Sequence, residues 1–354
     1  MKQQSYHVVG AMSGTSLDGL DLAECFFTVD EAGNWHYRLG KLHTLAYPSQ
    51  WENKLKNATA RNEDQLKLLD IEYARFTGEA ARLFSEGFYE DLDALCSHGH
   101  TVFHQPERGY TYQLGNNPDL SEAFGKTVVC DFRAQDVALG GQGAPLVPIG
   151  DALLFLEYDY CLNLGGFANV SYAKNGARIA YDICPVNFVL NRLALMLGRP
   201  YDAGGEMAAM GTVYEPLLHD LNALDFYRTT PPKSLGWEWV RDHVLPLIES
   251  APCSVHDTLR TFTEHVATQL ALQFEPGSSI LVTGGGAYNK FLMERLASQK
   301  SLRIVIPSPA LIEFKEALIF GFLGVLRLRG EANCLASVTG ASSDHSSGSI
   351  FTVK

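Results

Sequence analysis

Paired cysteines are missing from this sequence. The seven it has, Cys25, Cys96, Cys130, Cys161, Cys184, Cys253 and Cys334, are odd in number, scattered, and without a Cys-x-x-Cys pair. Neither a disulfide framework nor a thiolate zinc site is indicated, and the cysteines read as small buried apolar residues. Positive charge is scarce: 28 Lys and Arg stand against 40 Asp and Glu, a formal charge of −12, with no basic cluster to offset it. Such a surface repels nucleic-acid backbones and anionic lipid. Long apolar runs are absent too. The longest, Ala317 to Leu326, ends at Arg327 and Arg329 and is about half the ~20 residues a membrane-spanning helix needs. Met1 to Tyr6 carry one Lys and no apolar stretch, so no secretory signal is expected and a cytoplasmic location follows.

What is present is the mix of a folded protein, 46% hydrophobic and 19% charged over 354 residues. Single cores stop growing near ~250 to 300 residues, so two lobes with a cleft between them are expected. Tyr6 to Ala11, Ala23 to Val29 and Trp35 to Leu42 are β-rich runs broken by turn-forming residues, which predicts a hairpin and a third strand. Gln50 to Tyr89 has helical periodicity, and Ala94 to Ser97 and Thr127 to Cys130 read as buried strands. After the glycine-rich stretch Gly140 to Pro145 the pattern repeats. Strands at Tyr160 to Leu164, Phe167 to Tyr172 and Ile179 to Ile183 precede a helix at Asn187 to Leu197. Further helices at Val213 to Leu224, Ser254 to Phe274 and Asn289 to Ser298 alternate with strands at Ile280 to Val282 and Leu302 to Ile306. Two similar α/β units are the expectation.

Three glycine turns carry the candidate chemistry. Gly14, Thr15 and Ser16 lie between the first two strands, where bare backbone N–H groups and hydroxyls can wrap phosphate oxygens and Asp18 can hold a metal or its water. A polar hairpin turn would use the same residues. Asn163, Gly165 and Gly166 offer the same chemistry in the second unit, and Gly284, Gly285 and Gly286, followed by Asn289, let a planar ring approach the backbone. That third run lacks the last glycine and the acidic ribose ligand of a dinucleotide fingerprint, so a nicotinamide enzyme is not expected. His98, His100 and His104 suggest zinc, but Val102 and Phe103 stand where a His-x-His metallohydrolase needs Asp and His, and substrate hydrogen bonding is the preferred reading. Arg133 follows a strand end, where ligands gather in α/β sheets. Asp182 ends a strand ahead of Pro185 and can take a proton from a nucleophile; Asn187 is expected to cap the following helix. Glu316 opens the apolar segment Glu313 to Leu328, as a first-turn acid or a cleft carboxylate.

Taken in order, Gly10-Ala-Met-Ser-Gly-Thr-Ser-Leu-Asp-Gly19, Ser97 to His104, Asp131-Phe-Arg133, Gly140 to Pro148, Asn163 to Asn169, Asp202 to Gly211, Gly284 to Asn289, Glu316-Ala-Leu and Ser337 to Ala341 resemble the anhydro-N-acetylmuramic acid kinases. The resemblance implies two related lobes of actin-like, ribonuclease H-like type around an ATP cleft, residues 1–135 with 311–354 and residues 136–310. It implies ATP and Mg, an amino sugar as acceptor, a homodimer, and a role in cell-wall recycling. It assigns Asp182 as the base activating water, and Gly14, Thr15, Ser16, Leu17, Asp18, Gly19, Leu20 and Asp21 to the ATP phosphates. His98, Thr101, Arg133 and Glu316 would hold the sugar, and Gly284 to Asn289 would face adenosine. The chain departs from the family where Asp-Thr-Gly-Pro-Gly-Asn is expected. It reads Asp182-Ile-Cys-Pro-Val-Asn187, and His100 replaces a usual Gln. Bulk at Cys184 and Val186 should keep a ligand off the backbone there. The rival readings are a kinase for a related amino sugar and a nucleotide-gated binding protein of the same fold without sugar kinase activity; Asp182 with Arg133 favours a kinase.

Overall fold

The first three runs fold into a meander, β1 (Ser5–Ser13), β2 (Leu20–Val29) and β3 (Trp35–Leu45), each antiparallel to the next, with β1 and β2 buried on both faces along their middles. The computed structural model describes residues 4–14 and 17–353. Thr15 and Ser16, both expected at the phosphates, lie outside the described residues. β4 (Ala94–Gln105) returns parallel to β1, and β6 (Val128–Cys130) parallel to β4; the hairpin strand β5 (Tyr110–Leu114) pairs with the outer half of β4. The second sheet holds β7 (Tyr160–Leu164), β8 (Phe167–Lys174), β9 (Ala177–Pro185), β10 (Ser279–Thr283) and β11 (Arg303–Val305). Its order, β11-β10-β7-β8-β9, matches β6-β4-β1-β2-β3 of the first, with the same strand directions. This is the doubled α/β architecture the resemblance implies. β12 (Ser349–Phe351) adds to the first sheet beyond β6.

The chain divides into two compact units, residues 1–154 with 314–354 and residues 155–313. Residues 136–154 thus go with the first unit instead of the second. The glycine-rich stretch is fastened to this unit: Asp136 Oδ2 accepts the Gly143 N–H at 2.7 Å, Arg133 donates to the Gly143 carbonyl, and Gln142 N–H reaches the Thr339 carbonyl at 2.8 Å.

Between β3 and β4 the periodic stretch forms two helices, Ser49–Lys56 and Glu63–Phe84, parted at Asn57 to Asn62. Asn62 and Gln65 make a capping box, so side chains satisfy N–H groups that the helix start leaves free. The helix Pro309–Arg329 packs on the first sheet through glycine: a Cβ on Gly10 would strike the Ala317 carbonyl, and one on Gly324 would strike Cys96. Separate apolar cores result, one around Val9, Leu69, Tyr73 and Phe124, the other around Leu162, Val189, Phe262 and Val282. No described helix is long and apolar enough to cross a membrane.

Candidate active site

In the first unit the turn after β1 is shaped by backbone. Leu17 N–H reaches the Gly14 carbonyl at 3.4 Å and Leu17 holds φ 63°, a left-handed value. Gly19 permits the return because a Cβ there would meet the Leu45 carbonyl at 2.6 Å. Asp18 is exposed, whereas Leu20 is buried in the core and can offer a ligand only its backbone. Asp21 accepts the Thr44 hydroxyl at 2.6 Å.

β4 runs well past Ser97, so His98, His100 and His104 sit within a strand and not beyond its end. Alternation along a strand separates successive residues, yet His98 and His100 share one face and are both buried. The Arg133 Nε–H donates to His98 Nε2 at 2.9 Å, which requires that nitrogen to be bare; Nδ1–H then donates to the Gly99 carbonyl at 2.9 Å. Burial and the adjacent guanidinium hold His98 well below the usual imidazole range, consistent with this neutral tautomer. Arg133 also donates to the Gly143 carbonyl at 2.6 Å and is half-buried, so burial pushes its guanidinium down. Thr101, half-buried, lies opposite Gln113 where β4 meets β5.

Glu316 belongs to the second turn of Pro309–Arg329, not the first, because the helix begins before Glu313. It is open to solvent yet closely flanked; desolvation raises its carboxyl while Arg133 and Lys315 oppose the rise. Lys315 is itself buried against Asp151 at 2.7 Å.

Two features of this unit escape sequence reading. His100 Nδ1 bonds the Ser13 hydroxyl at 2.8 Å, Ser13 bonds the Tyr47 hydroxyl at 2.7 Å, and Tyr47 bonds Tyr73 at 2.7 Å. This buried line fixes the end of β1 against β4, and burial lowers His100 to about 4. Asp131, just past β6, holds φ 60°, and burial pushes its carboxyl up to about 6. A non-glycine residue in that conformation beside a motif arginine marks stored strain of the kind found at functional sites.

The second unit brings its two glycine turns together. A Cβ on Gly284 would strike Asn163 Oδ1 and the Leu164 backbone, and one on Gly286 would strike the Leu164 side chain. Asn187 does not cap its helix; it is the first helical residue, and its Nδ2 donates to the Leu164 carbonyl at 3.1 Å, tying the helix start to the same turn. A Cβ on Gly165 or Gly285 would make only ordinary contacts, with Asn163 Nδ2 and the Phe167 carbonyl or with Asn187 Nδ2, whereas Gly286 is buried and Gly166 lies under the Phe188 ring. The Asn289 side chain is buried and caps the helix Lys290–Gln299 by accepting the Leu292 N–H at 2.9 Å.

Asp182 lies on β9 beside an irregularity of register. It faces Asn169, while Cys184 faces Ala168, leaving Ile183 as the extra residue. Bulges re-aim side chains, and here one sits next to the candidate base. Asp182 Oδ2 accepts the Leu235 N–H at 2.8 Å, and its own N–H donates to the Lys233 carbonyl at 3.1 Å, so residues 233–235 cover the sheet edge. Desolvation raises the Asp182 carboxyl and the Leu235 amide partly offsets it. The bulk expected to block a ligand faces elsewhere: Ile183, Cys184 and Val186 are buried in the unit's apolar core.

A family model described as anhydro-N-acetylmuramic acid kinase matches residues 6–353. The chain belongs to the anhydro-N-acetylmuramic acid kinase family. A kinase of that name from Chromobacterium violaceum is 35% identical over 97% of this chain and 98% of its own. One from Variovorax paradoxus is 34% identical, again covering 97% of this chain and 98% of its own, and one from Pseudomonas savastanoi is 32% identical over 98% and 99%. Membership of this kinase family makes the chain a phosphotransferase acting on a sugar hydroxyl.

Proposed function

We propose that the protein uses ATP to phosphorylate 1,6-anhydro-N-acetylmuramic acid while water opens the anhydro bridge, giving N-acetylmuramate 6-phosphate and ADP. The observation that carries this reading is the family match over residues 6–353, with the family's Asp182 kept beside a bulge and its carboxyl raised. A base with a raised pKa is better matched to proton transfer near neutral pH than an ordinary carboxylate.

In this reading Asp182 draws the proton from a water whose oxygen attacks C1. The C1–O6 bond breaks and O6 takes the γ-phosphoryl group. Phosphoryl transfer needs mainly alignment and neutralised charge. Gly165 is partly buried and Gly285 exposed; they carry no side chain of their own and have no side chain but the Asn163 and Asn187 amides close to the Cβ position, which suits the approach of a nucleotide. Gly14, Asn163 and the remaining backbone of Leu17 to Asp21 complete the proposed phosphate contacts. Asp18, exposed in its turn, would hold Mg together with ATP oxygens, a donor set that suits an ion which keeps several waters. Arg133, oriented by His98, with Thr101 and Glu316, would hold the sugar.

Incubation with Mg-ATP and a panel of anhydro and reducing amino sugars tests the proposal. ADP release should depend on the anhydro sugar, and oxygen from labelled water should appear at C1. Equal ADP release without any sugar would instead support a nucleotide-gated ATPase. We place the protein in the cytoplasm, as a homodimer serving cell-wall recycling; sedimentation of the purified chain checks the dimer.

A further inference from the structure

We propose that Asp136, Cys334 and His345 form a binding site for a divalent transition metal of the zinc type. One ligand atom from each residue lies within 4.8 Å of the other two, and all three side chains are buried, His345 being 9% exposed. Ligand atoms around a four-coordinate zinc, at ~2.0 to 2.3 Å from the ion, stand roughly 3 to 4 Å apart. His345 Nε2 and Asp136 Oδ1 are 3.5 Å apart, within that range.

The hydrogen bonds around the imidazole argue for an ion. His345 Nδ1 is 3.0 Å from the Ser343 carbonyl, which can only accept, so Nδ1 carries the proton. In the neutral ring Nε2 is then a bare lone pair. It has no hydrogen-bond partner and faces a carboxylate oxygen, acceptor against acceptor. A cation between them removes the conflict. A metal-bound imidazole commonly donates its other ring N–H to a carbonyl, the arrangement found here.

The ligands are also braced. Cys334 and His345 form an isolated antiparallel bridge. Asn333 donates to the Leu323 and Ser347 carbonyls at 3.0 and 2.9 Å, and the Ser347 hydroxyl reaches the Phe132 carbonyl at 2.7 Å. Asp136 accepts from the Thr339 hydroxyl at 2.7 Å and from the Gly143 N–H at 2.7 Å, leaving lone pairs for a metal. The Arg133 guanidinium feels both Asp136 and Cys334. A thiolate, a carboxylate and a divalent ion sum to zero, so loading adds no repulsion beside that arginine; the thiol proton leaves to solvent. The ion would pin the C-terminal segment to the Gly140–Gly143 loop.

The full chain, stripped with chelator, is titrated with Zn²⁺ and with Co²⁺. Stoichiometric uptake, a thiolate-to-cobalt charge-transfer band and a zinc-dependent rise in melting temperature are expected, since an ion that binds only the folded state stabilises it. Cys334→Ser should lose the band, and His345→Gln should bind zinc at least ~10-fold more weakly. No uptake by the wild-type chain overturns the proposal. A band that persists in folded Cys334→Ser overturns it as well.

Discussion

At the scale of single residues, two carboxylates displaced upward by burial have different consequences. Asp182→Asn keeps an oxygen to accept the Leu235 N–H, so the cover over β9 should survive and melting temperature should barely move. In the proposed role the variant cannot accept the nucleophile's proton, and kcat should fall by ~100-fold to 10,000-fold. A cap lost from the structure would do the reverse, lowering stability at unchanged rate. With Asp182 as the proposed base, ionised for activity and its carboxyl raised, the acid limb of kcat/KM in the wild type should lie above the ~4 of an ordinary aspartate.

Asp131 tests the other side of the same physics. Its folded value of about 6 exceeds the ~3.9 of an unfolded chain. An acid with a raised folded pKa is favoured when protonated, so its contribution to stability is full below pH ~4 and is lost as pH rises through about 6. Asp131→Asn removes that loss and tolerates φ 60°. The variant should therefore melt higher than wild type at pH 8, by up to ~2 to 3 kcal/mol, and equally at pH 4. Calorimetry at the two pH values checks both.

At the scale of elements, glycine positions separate rigid from adjustable contacts. On Gly10 a new methyl meets the main chain of the helix at Ala317, which cannot step aside, and Gly10→Ala should cost several kcal/mol, ~3 or more. On Gly166 the obstacle is the ring of Phe188, 46% exposed and able to swing away. Gly166→Ala should cost ~1 to 3 kcal/mol, and adding Phe188→Ala should recover part of it, a coupling that a double-mutant cycle reads directly.

The elements themselves were legible where local pattern and tertiary setting agree. The meander of β1 to β3, its repeat in β7 to β9, and the long helices follow from alternation, periodicity and turn residues. β4 was seen only as far as Ser97, because His98 to Gln105 is too polar to read as buried strand; its partner β5 lies beyond Pro106 and Gly109, which look like loop. The glycine turns and the His98–Arg133 motif were visible as strings. The line from His100 through Ser13 to Tyr47 and Tyr73 was not, since only folding brings those hydroxyls together. Asn187 and Asn289 show the limit of capping arguments: each was a reasonable cap or ligand by position, and the neighbouring turn decided which became the cap.

At the scale of the molecule, two compact units with separate apolar cores predict departure from all-or-none unfolding. Proteins of more than one domain commonly violate it. The calorimetric enthalpy should exceed the van't Hoff enthalpy, and truncating Phe262 in the second core should shift one component of the transition more than the other. A single transition with equal enthalpies would show the units to be fully coupled. The sequence repeat announces two units; the compact units are bounded at residues 154 and 314, while the resemblance implies borders at 135 and 311. Hydrogen bonds from Asp136 and Arg133, invisible in a string, hold the glycine-rich loop to the first unit.

The first unit is assembled from both ends of the chain, while residues 155–313 form an uninterrupted insert. During synthesis on the ribosome the insert emerges whole and has every strand it needs. The earlier residues must wait for the helix Pro309–Arg329 to cover Gly10 and for β12 to join β6. The usual order, in which the leading segment folds first, is therefore reversed here. The nascent N-terminal sheet spends the time of translating the insert with its apolar face uncovered, which makes that interval the one in which a chaperone has most to do.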